Sequence, residues 1–170
     1  MVVMFDIETT GLTPFQNMVT IIGMKKDGLI KQWKLWEENN EADMIICAIG
    51  EINKINESIV GYNNLKFDVP FMLERLRILS KWREEFYEIY RKKWFDLYQY
   101  LGNDYRSMVS WLERAGIERE YPDLDGRDMP IFYKEGQYEK IVQHNIDDLN
   151  TSENLFNYLK ERNPDLLPDR

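Results

Sequence analysis

Cysteine and histidine are almost missing from this chain, with one of each in 170 residues. A lone cysteine, Cys47, excludes an internal disulfide and fits a reducing compartment. One cysteine and one histidine are too few for a zinc site of the usual kind, so any metal should be a hard ion held by oxygen. Long apolar runs are lacking too. None approaches the ~20 residues of a membrane span, and the chain opens without the basic region and apolar core of a signal peptide. A cytoplasmic protein with no membrane partner is expected. Basic charge is in deficit: 22 Lys and Arg stand against 30 Asp and Glu, a net charge of −8. That argues against an electrostatic grip on long duplex nucleic acid, which needs many phosphate contacts. It leaves room for a few nucleotides held through divalent ions, whose charge offsets local acidity.

What is present points to a folded domain. Apolar residues are 44% of the chain and aromatics 14%, and 170 residues suffice for one domain with a real core. Met1 to Ile7 reads as a buried strand, broken by Gly11 and Pro14. Val19 to Lys25 and Leu29 to Trp36 read as two strands joined by an Asp27-Gly28 hairpin turn. Apolar spacing predicts a helix over 41–56, with Cys47 buried on it. Ser58 to Gly61 is a short strand, expected parallel to an earlier one because a helix precedes it. Pro70 should open a helix at its first position, and a second helical stretch should cover 82–92. Trp94 to Leu97 is a last strand, with Arg91-Lys92-Lys93 before it as a solvated helix end rather than a base-stacking platform. Short helices are expected over 107–115 and 128–134, then a long one over 137–162. The fold class is α/β: a mixed sheet, a three-strand antiparallel meander plus parallel strands, flanked by helices. Residues 1–162 form one domain and 163–170 a loosely held tail.

Three places carry chemistry. Asp6 and Glu8 alternate with Phe5 and Ile7, so both carboxylates leave one strand face, with Cα atoms roughly 6.5–7 Å apart. That spacing suits one divalent ion or a pair about 4 Å apart; a solvated acidic strand is the rival reading. Asp68 stands just before Pro70, where a strand gives way to a helix. It is placed either to reach the first pair at the strand ends or to cap the helix. In the last helix, Asp148 has the phase of Ile141 and Leu155, an apolar stripe, whereas Asp147 has the phase of Lys140 and Asn154, a polar one. A carboxylate on a buried face needs a partner, and a metal is one. His144 lies one turn before Asp148 on the same face.

Together these segments resemble a known family. Asp6-Ile7-Glu8-Thr9-Thr10-Gly11-Leu12 is similar to the Asp-x-Glu motif of the DEDD superfamily of 3′–5′ exonucleases, which have an RNase H-like (DnaQ-like) fold. Gly61-Tyr62-Asn63 through Phe67-Asp68 resembles the second motif, closest to the form in the exonuclease domains of family B DNA polymerases. His144-x-x-x-Asp148 falls where the third belongs. The histidine branch of that superfamily usually places one more residue between His and Asp. This chain has a histidine at the tyrosine branch's spacing, which leaves the branch open. The resemblance implies hydrolysis of single-stranded DNA or RNA from the 3′ end to nucleoside 5′-monophosphates. It implies two Mg²⁺ or Mn²⁺ ions on Asp6, Glu8, Asp68 and Asp148, with His144 accepting the proton of the attacking water. Thr9, Thr10, Leu12, Asn63 and Phe67 would meet the 3′ nucleotide, although core packing is an equal reading for Leu12 and Phe67. Four clustered carboxylates without metal should be partly protonated. A structure-selective endonuclease and a non-catalytic nucleic-acid-binding subunit are the alternatives, since one fold hosts many functions.

Overall fold

Side-chain alternation along the first strand sorts the whole molecule into layers. The computed structural model describes residues 1–102 and 107–166. In β1 (Val2–Thr9), Phe5 and Ile7 enter one apolar cluster and Met4 enters another on the opposite face. Asp6 and Glu8 share the phase of Met4, so they face the second side. β2 (Val19–Lys26) and β3 (Leu29–Lys34) complete an antiparallel meander with β1. Their hairpin turns at Asp27 and Gly28, with φ of 51° and 77°, the doubly left-handed turn that matches strand twist. β4 (Ser58–Gly61) and β5 (Trp94–Asp96) add in parallel, giving the order β3-β2-β1-β4-β5 with β1 at the centre.

Helices cover both faces. On the Phe5 face lie α1 (Glu41–Ile52) and α2 (Asp68–Ile78), whose Ile45, Ala48, Ile49, Met72 and Leu76 are buried against Phe5, Ile7 and Ile22. Asn40 caps α1 by accepting from the Asp43 amide, as a short polar side chain does at a helix start. α3 (Leu97–Tyr100), α4 (Met108–Ala115), α5 (Met129–Lys134) and the long α6 (Tyr138–Arg162) occupy the Asp6 face. There Leu149, Leu155 and Phe156 of α6 pack with Met4, Val60, Leu97 and Leu112. Gly116, at φ 67°, ends α4 in the left-handed conformation. Among the described residues no helix is long and apolar enough to cross a membrane.

Several sequence expectations are corrected. The stretch 82–92 is a 3-10 helix over Glu84–Arg91. Its two buried residues, Phe86 and Ile89, are three apart, the repeat of that tighter helix. Pro70 is the third residue of α2 rather than the first, still within the turn whose amides need no helical acceptor. Cys47 is exposed, because Met44, Ile45, Ala48 and Ile49 take the buried face of α1 and leave it off that stripe. The reading against a base-stacking platform at Trp94 agrees with its packing: the indole N–H donates to the Ile89 carbonyl and the ring meets Phe5 edge-on. Within the stretch expected as a loose tail, Leu166 is 7% exposed and joins the α6 cluster. Residues 167–170 lie outside the described residues.

Candidate active site

The site forms where β1 outruns its parallel neighbour. Pairing with β4 ends at Met4↔Val60, so the backbone groups beyond it on that side need other partners. Two side chains, Asn64 of the β4–α2 turn and Asp68 at the start of α2, supply them. The Ile7 amide donates to Asp68 Oδ1 at 3.1 Å, and Asn64 Nδ2 donates to the Phe5 carbonyl at 3.3 Å. Gly61 makes room: a Cβ there would lie 1.8 Å from Asn64 Oδ1 and 2.5 Å from the Phe5 oxygen. Asp68 is the first residue of α2, not its cap; the cap position, Phe67, makes no side-chain capping bond. Asp96, at the end of β5, accepts from the amides of Asn63 and Leu65 and holds the same turn from the other side. Asn63 takes the left-handed conformation, φ 65°, which asparagine tolerates.

On its other edge β1 is bent by a bulge. Pairing with β2 slips between Glu8↔Ile21 and Thr9↔Val19, and the Thr20 hydroxyl donates to the Glu8 carbonyl at 3.1 Å. Bulges beside a strand end re-aim side chains; here Val19 and Ile22 both reach the α1–α2 face while Ile21 stays on the other. The turn that follows, 10–18, is closed by its own bonds: the Thr10 amide donates to the Met18 carbonyl, and the Met18 amide to Thr10 Oγ1. Its tip presents Leu12 and Phe15, 82% and 74% exposed.

The long helix α6 brings the remaining groups. His144 Nδ1 lies 2.7 Å from Glu8 Oε1 and 3.7 Å from Asp148 Oδ2. One potential ligand atom from each of Glu8, His144 and Asp148 lies within 4.8 Å of the others. Asp6 and Asp68 stand beside this cluster, near enough for their charges to act on one another. Asp68 is meanwhile engaged by the Ile7 amide. A cleft of about 600 Å³ opens over His144 and Asp148, bounded also by Met108, Val109, Arg119 and Gly126.

The helix-phase reading of the two aspartates is corrected in burial. Asp147 is the buried one, 1% exposed, while the Asp148 side chain is 20% exposed. The reason is Arg119, from the segment between α4 and α5. Its Nε donates to Asp147 Oδ2 at 2.9 Å, the Glu120 amide donates to Asp147 Oδ1, and Arg119 Nη1 donates to the Leu124 carbonyl. That segment folds over the stripe of α6 read as polar from its phase. Asp147 is thereby a structural anchor, and Asp148 is the aspartate left facing Glu8 and His144.

Electrostatics follow from crowding acids away from water. Burial first, then the charges of Glu8, Asp148 and Asp68, raise the Asp6 carboxyl well above its ordinary 3.8, against the Asn145 hydrogen bond. Burial pushes Asp68 up to about 7 despite its bonds with Asn64 and Ile7, and pushes Asp148 up to about 7 although His144 and Arg119 pull it down. For His144 burial disfavours the charged ring, but the charge and hydrogen bond of Glu8 and the charge of Asp148 outweigh it and hold the pKa up to about 9.

These shifts have one sign in stability. A carboxyl raised from 3.8 to about 7 keeps its proton in the folded state while the unfolded chain loses it, so stability declines between about pH 4 and 7. His144, raised from 6.5 to about 9, stabilises below about pH 6.5 and loses that contribution as pH climbs through 9. The exposed pairs that hold Glu57 and Asp125 down to about 2 act only below this window. In chelator the melting temperature is therefore expected to fall steadily from about pH 5 to 9. A flat or rising profile by scanning calorimetry would contradict this electrostatic picture.

Of the residues expected at a nucleotide, Thr9 and Thr10 sit at the β1 end with their hydroxyls committed inside the turn: Thr9 Oγ1 donates to the Gly11 carbonyl at 2.8 Å, and Thr10 Oγ1 accepts from Met18. The even choice for Leu12 and Phe67 divides. Leu12 is on the surface, while Phe67 packs with Phe71 against the core. Sequence reasoning missed Asn64, Asp96, Arg119 and Asn145. Asn64 and Asn145 adjoin motif residues and Asp96 ends a strand, which are usable signals; Arg119 had none.

The solved structures that share the fold include the family B DNA polymerase of the hyperthermophilic archaeon Pyrobaculum calidifontis, with TM-score 0.72 and 18% identity over 95% of this chain and 24% of that one. Exonuclease I in a product-bound structure gives TM-score 0.65 and 12% identity over 97% and 44%. E. coli exonuclease I in a zinc-bound complex with single-stranded DNA gives 0.65 and 13% over 97% and 41%. The chain thus spans from a quarter to under half the length of these proteins. No curated protein matches the sequence. The family model of the RNase H superfamily covers residues 3–160, and the chain belongs to that superfamily.

Proposed function

We infer that this protein is a metal-dependent 3′–5′ exonuclease, acting on single-stranded 3′ ends of DNA or RNA and releasing nucleoside 5′-monophosphates. The observation that carries this is the convergence of Glu8, His144 and Asp148, with Asp6 and Asp68 alongside, at the carboxyl end of the central strand. The donor set fits hard divalent ions: it is rich in carboxylate oxygen, and three of its carboxyls are pushed toward the protonated state, first by burial and, for Asp6 and Asp148, also by neighbouring carboxylates, a charge that bound cations would offset. Asp6, Glu8, Asp68 and Asp148 would hold two Mg²⁺ or Mn²⁺ ions. When bound, such ions supply an acidified water and a stabilised leaving oxygen.

The chain's own groups do the rest. His144 is tethered through Nδ1 to Glu8, which orients the ring as a second partner commonly orients a working histidine. Held charged by Glu8 and Asp148, the ring must give up its Nε2 proton to act as a base, while Nδ1–H stays on Glu8. Neutralising those carboxylates removes the attraction that keeps it. The exposed Leu12, with Phe15 beside it on the same turn, offers an apolar surface to a base at the strand terminus. The likeness to exonuclease I, including a complex with single-stranded DNA, supports this choice of substrate. The exposed, unpaired Cys47 supports a reducing, cytoplasmic setting.

The test is a 5′-labelled oligomer, as DNA and as RNA, with Mg²⁺, Mn²⁺ or chelator. A one-nucleotide ladder that needs metal and vanishes in Asp6→Ala is expected. A discrete internal cut would assign an endonuclease instead, and binding without cleavage would leave a binding subunit.

A further inference from the structure

We propose that Asn145 is a positioning residue for Asp6, acting as one link of an amide chain that starts at Gln32 and crosses the sheet over Gly23. Asp6, Gly23 and Gln32 stand in one row on three neighbouring strands, with Asp6 paired to Gly23 and Gly23 paired to Gln32. Neighbours in such a row are roughly 5 Å apart, so Asp6 and Gln32 are separated by about 10 Å. Asn145 bridges that gap from α6. Its Nδ2 donates to Asp6 Oδ2 at 2.8 Å, and its Oδ1 accepts from Gln32 Nε2 at 2.8 Å. Both bonds are short and Asn145 is 0% exposed, so the amide is confined to this one arrangement.

The gap exists because of Gly23. A Cβ at that position would lie 2.1 Å from Asn145 Oδ1 and 2.9 Å from Leu149 Cδ1. Any other residue in the middle of the row would expel the amide from between its partners. The glycine is explained by side-chain space, since its backbone is ordinary strand.

The consequence lies at Asp6. A carboxylate has two oxygens and several acceptor sites. Holding Oδ2 with a neutral donor leaves Oδ1 for a cation and restricts rotation of the group. The Gln32 bond to Asn145 Oδ1 polarises the amide and strengthens its donation to Asp6. Partners of this kind behind a metal ligand typically govern metal affinity by 10- to 100-fold.

This inference rests on the reading of Asp6 as a metal ligand, and the test separates the two. Mn²⁺ binding to the full chain is measured by titration calorimetry for the wild type and for Asp6→Ala, Asn145→Ala, Gln32→Ala and Asn145→Ala/Gln32→Ala. Asn145→Ala is expected to weaken Mn²⁺ about 10- to 100-fold. Gln32→Ala should weaken it less, and the double variant should be no worse than Asn145→Ala, because Gln32 acts through Asn145. Gln32 sits on the edge strand, so its substitution keeps the test meaningful should Asn145→Ala fold poorly. Unchanged Mn²⁺ affinity in Asn145→Ala and Gln32→Ala, or effects that simply add, would overturn the positioning role while leaving Asp6 as a ligand. Wild-type binding that Asp6→Ala does not alter would overturn that reading and the inference with it.

Discussion

His144→Ala is expected to lower the turnover rate about 10²- to 10⁴-fold, with little change in KM. The magnitude is that of a positioned proton acceptor, and the geometry supports it: the ring is fixed by Glu8 at 2.7 Å and opens onto the cleft shared with Asp148 and Gly126. The same geometry permits a second role, because His144 is one of three residues whose ligand atoms cluster within 4.8 Å. The two roles separate on metal binding. As a base, His144 can be removed with Mg²⁺ affinity largely kept, since magnesium prefers oxygen and the carboxylates remain. As a ligand, its loss should weaken metal binding in step with activity. Turnover measured at saturating Mg²⁺, beside a Mg²⁺ titration of thermal stability, decides between them. Near-normal turnover at saturating metal would remove His144 from the chemistry altogether.

The largest stability effect is expected at a buried ion pair behind the turn 10–18. Arg75 donates through Nε and Nη2 to the two oxygens of Glu41, at 2.8 and 2.6 Å, and through Nη1 to the Pro14 carbonyl at 2.7 Å. Glu41 Oε1 also accepts from the Val19 amide. The side chains are only 9% and 7% exposed. Arg75 lies in the last turn of α2 and Glu41 in the first turn of α1, each of the sign its helix end favours. Four segments thus meet at one ion pair. Removing one partner from a buried pair costs about 3–5 kcal/mol, because the other is left charged and unpaired. Arg75→Ala should therefore lower the melting temperature by about 6–20 °C for a chain of this size. Arg75→Met with Glu41→Leu should recover much of that loss, since apolar residues can replace such a pair at little cost. The turn would still have lost its anchor at Pro14, so substrate affinity should remain impaired in the recovered variant. A loss under about 1 kcal/mol in Arg75→Ala by urea denaturation would mean the pair is screened by water.

The expectations that held have a common character. The meander, its Asp27-Gly28 turn, the parallel return of β4 and the helices α1 and α4 are written in local patterns: alternation, turn residues and apolar spacing. Those that failed needed a neighbour. Cys47 was expected inside because its surroundings are apolar, but only one face of α1 meets the sheet. Asp147 reads as part of a polar stripe until Arg119, 28 residues away, closes over it.

By itself the sequence determined that two carboxylates leave one face of the first strand, that Asp68 stands at a strand-to-helix junction, and that His144 and Asp148 share a helix face. Each of these follows from backbone periodicity, which neighbours along the chain suffice to set. Only the tertiary structure decided what surrounds them. It set Asn145 over Gly23 to hold Asp6, 139 residues away. It turned Asp68 to the Ile7 amide left unpaired past the end of β4, and it gave Asp147 to Arg119 so that Asp148 faces the site. These choices depend on which donors and acceptors lie close once the layers are packed. Hydrogen bonds act over about 3 Å, a distance that sequence separation does not encode.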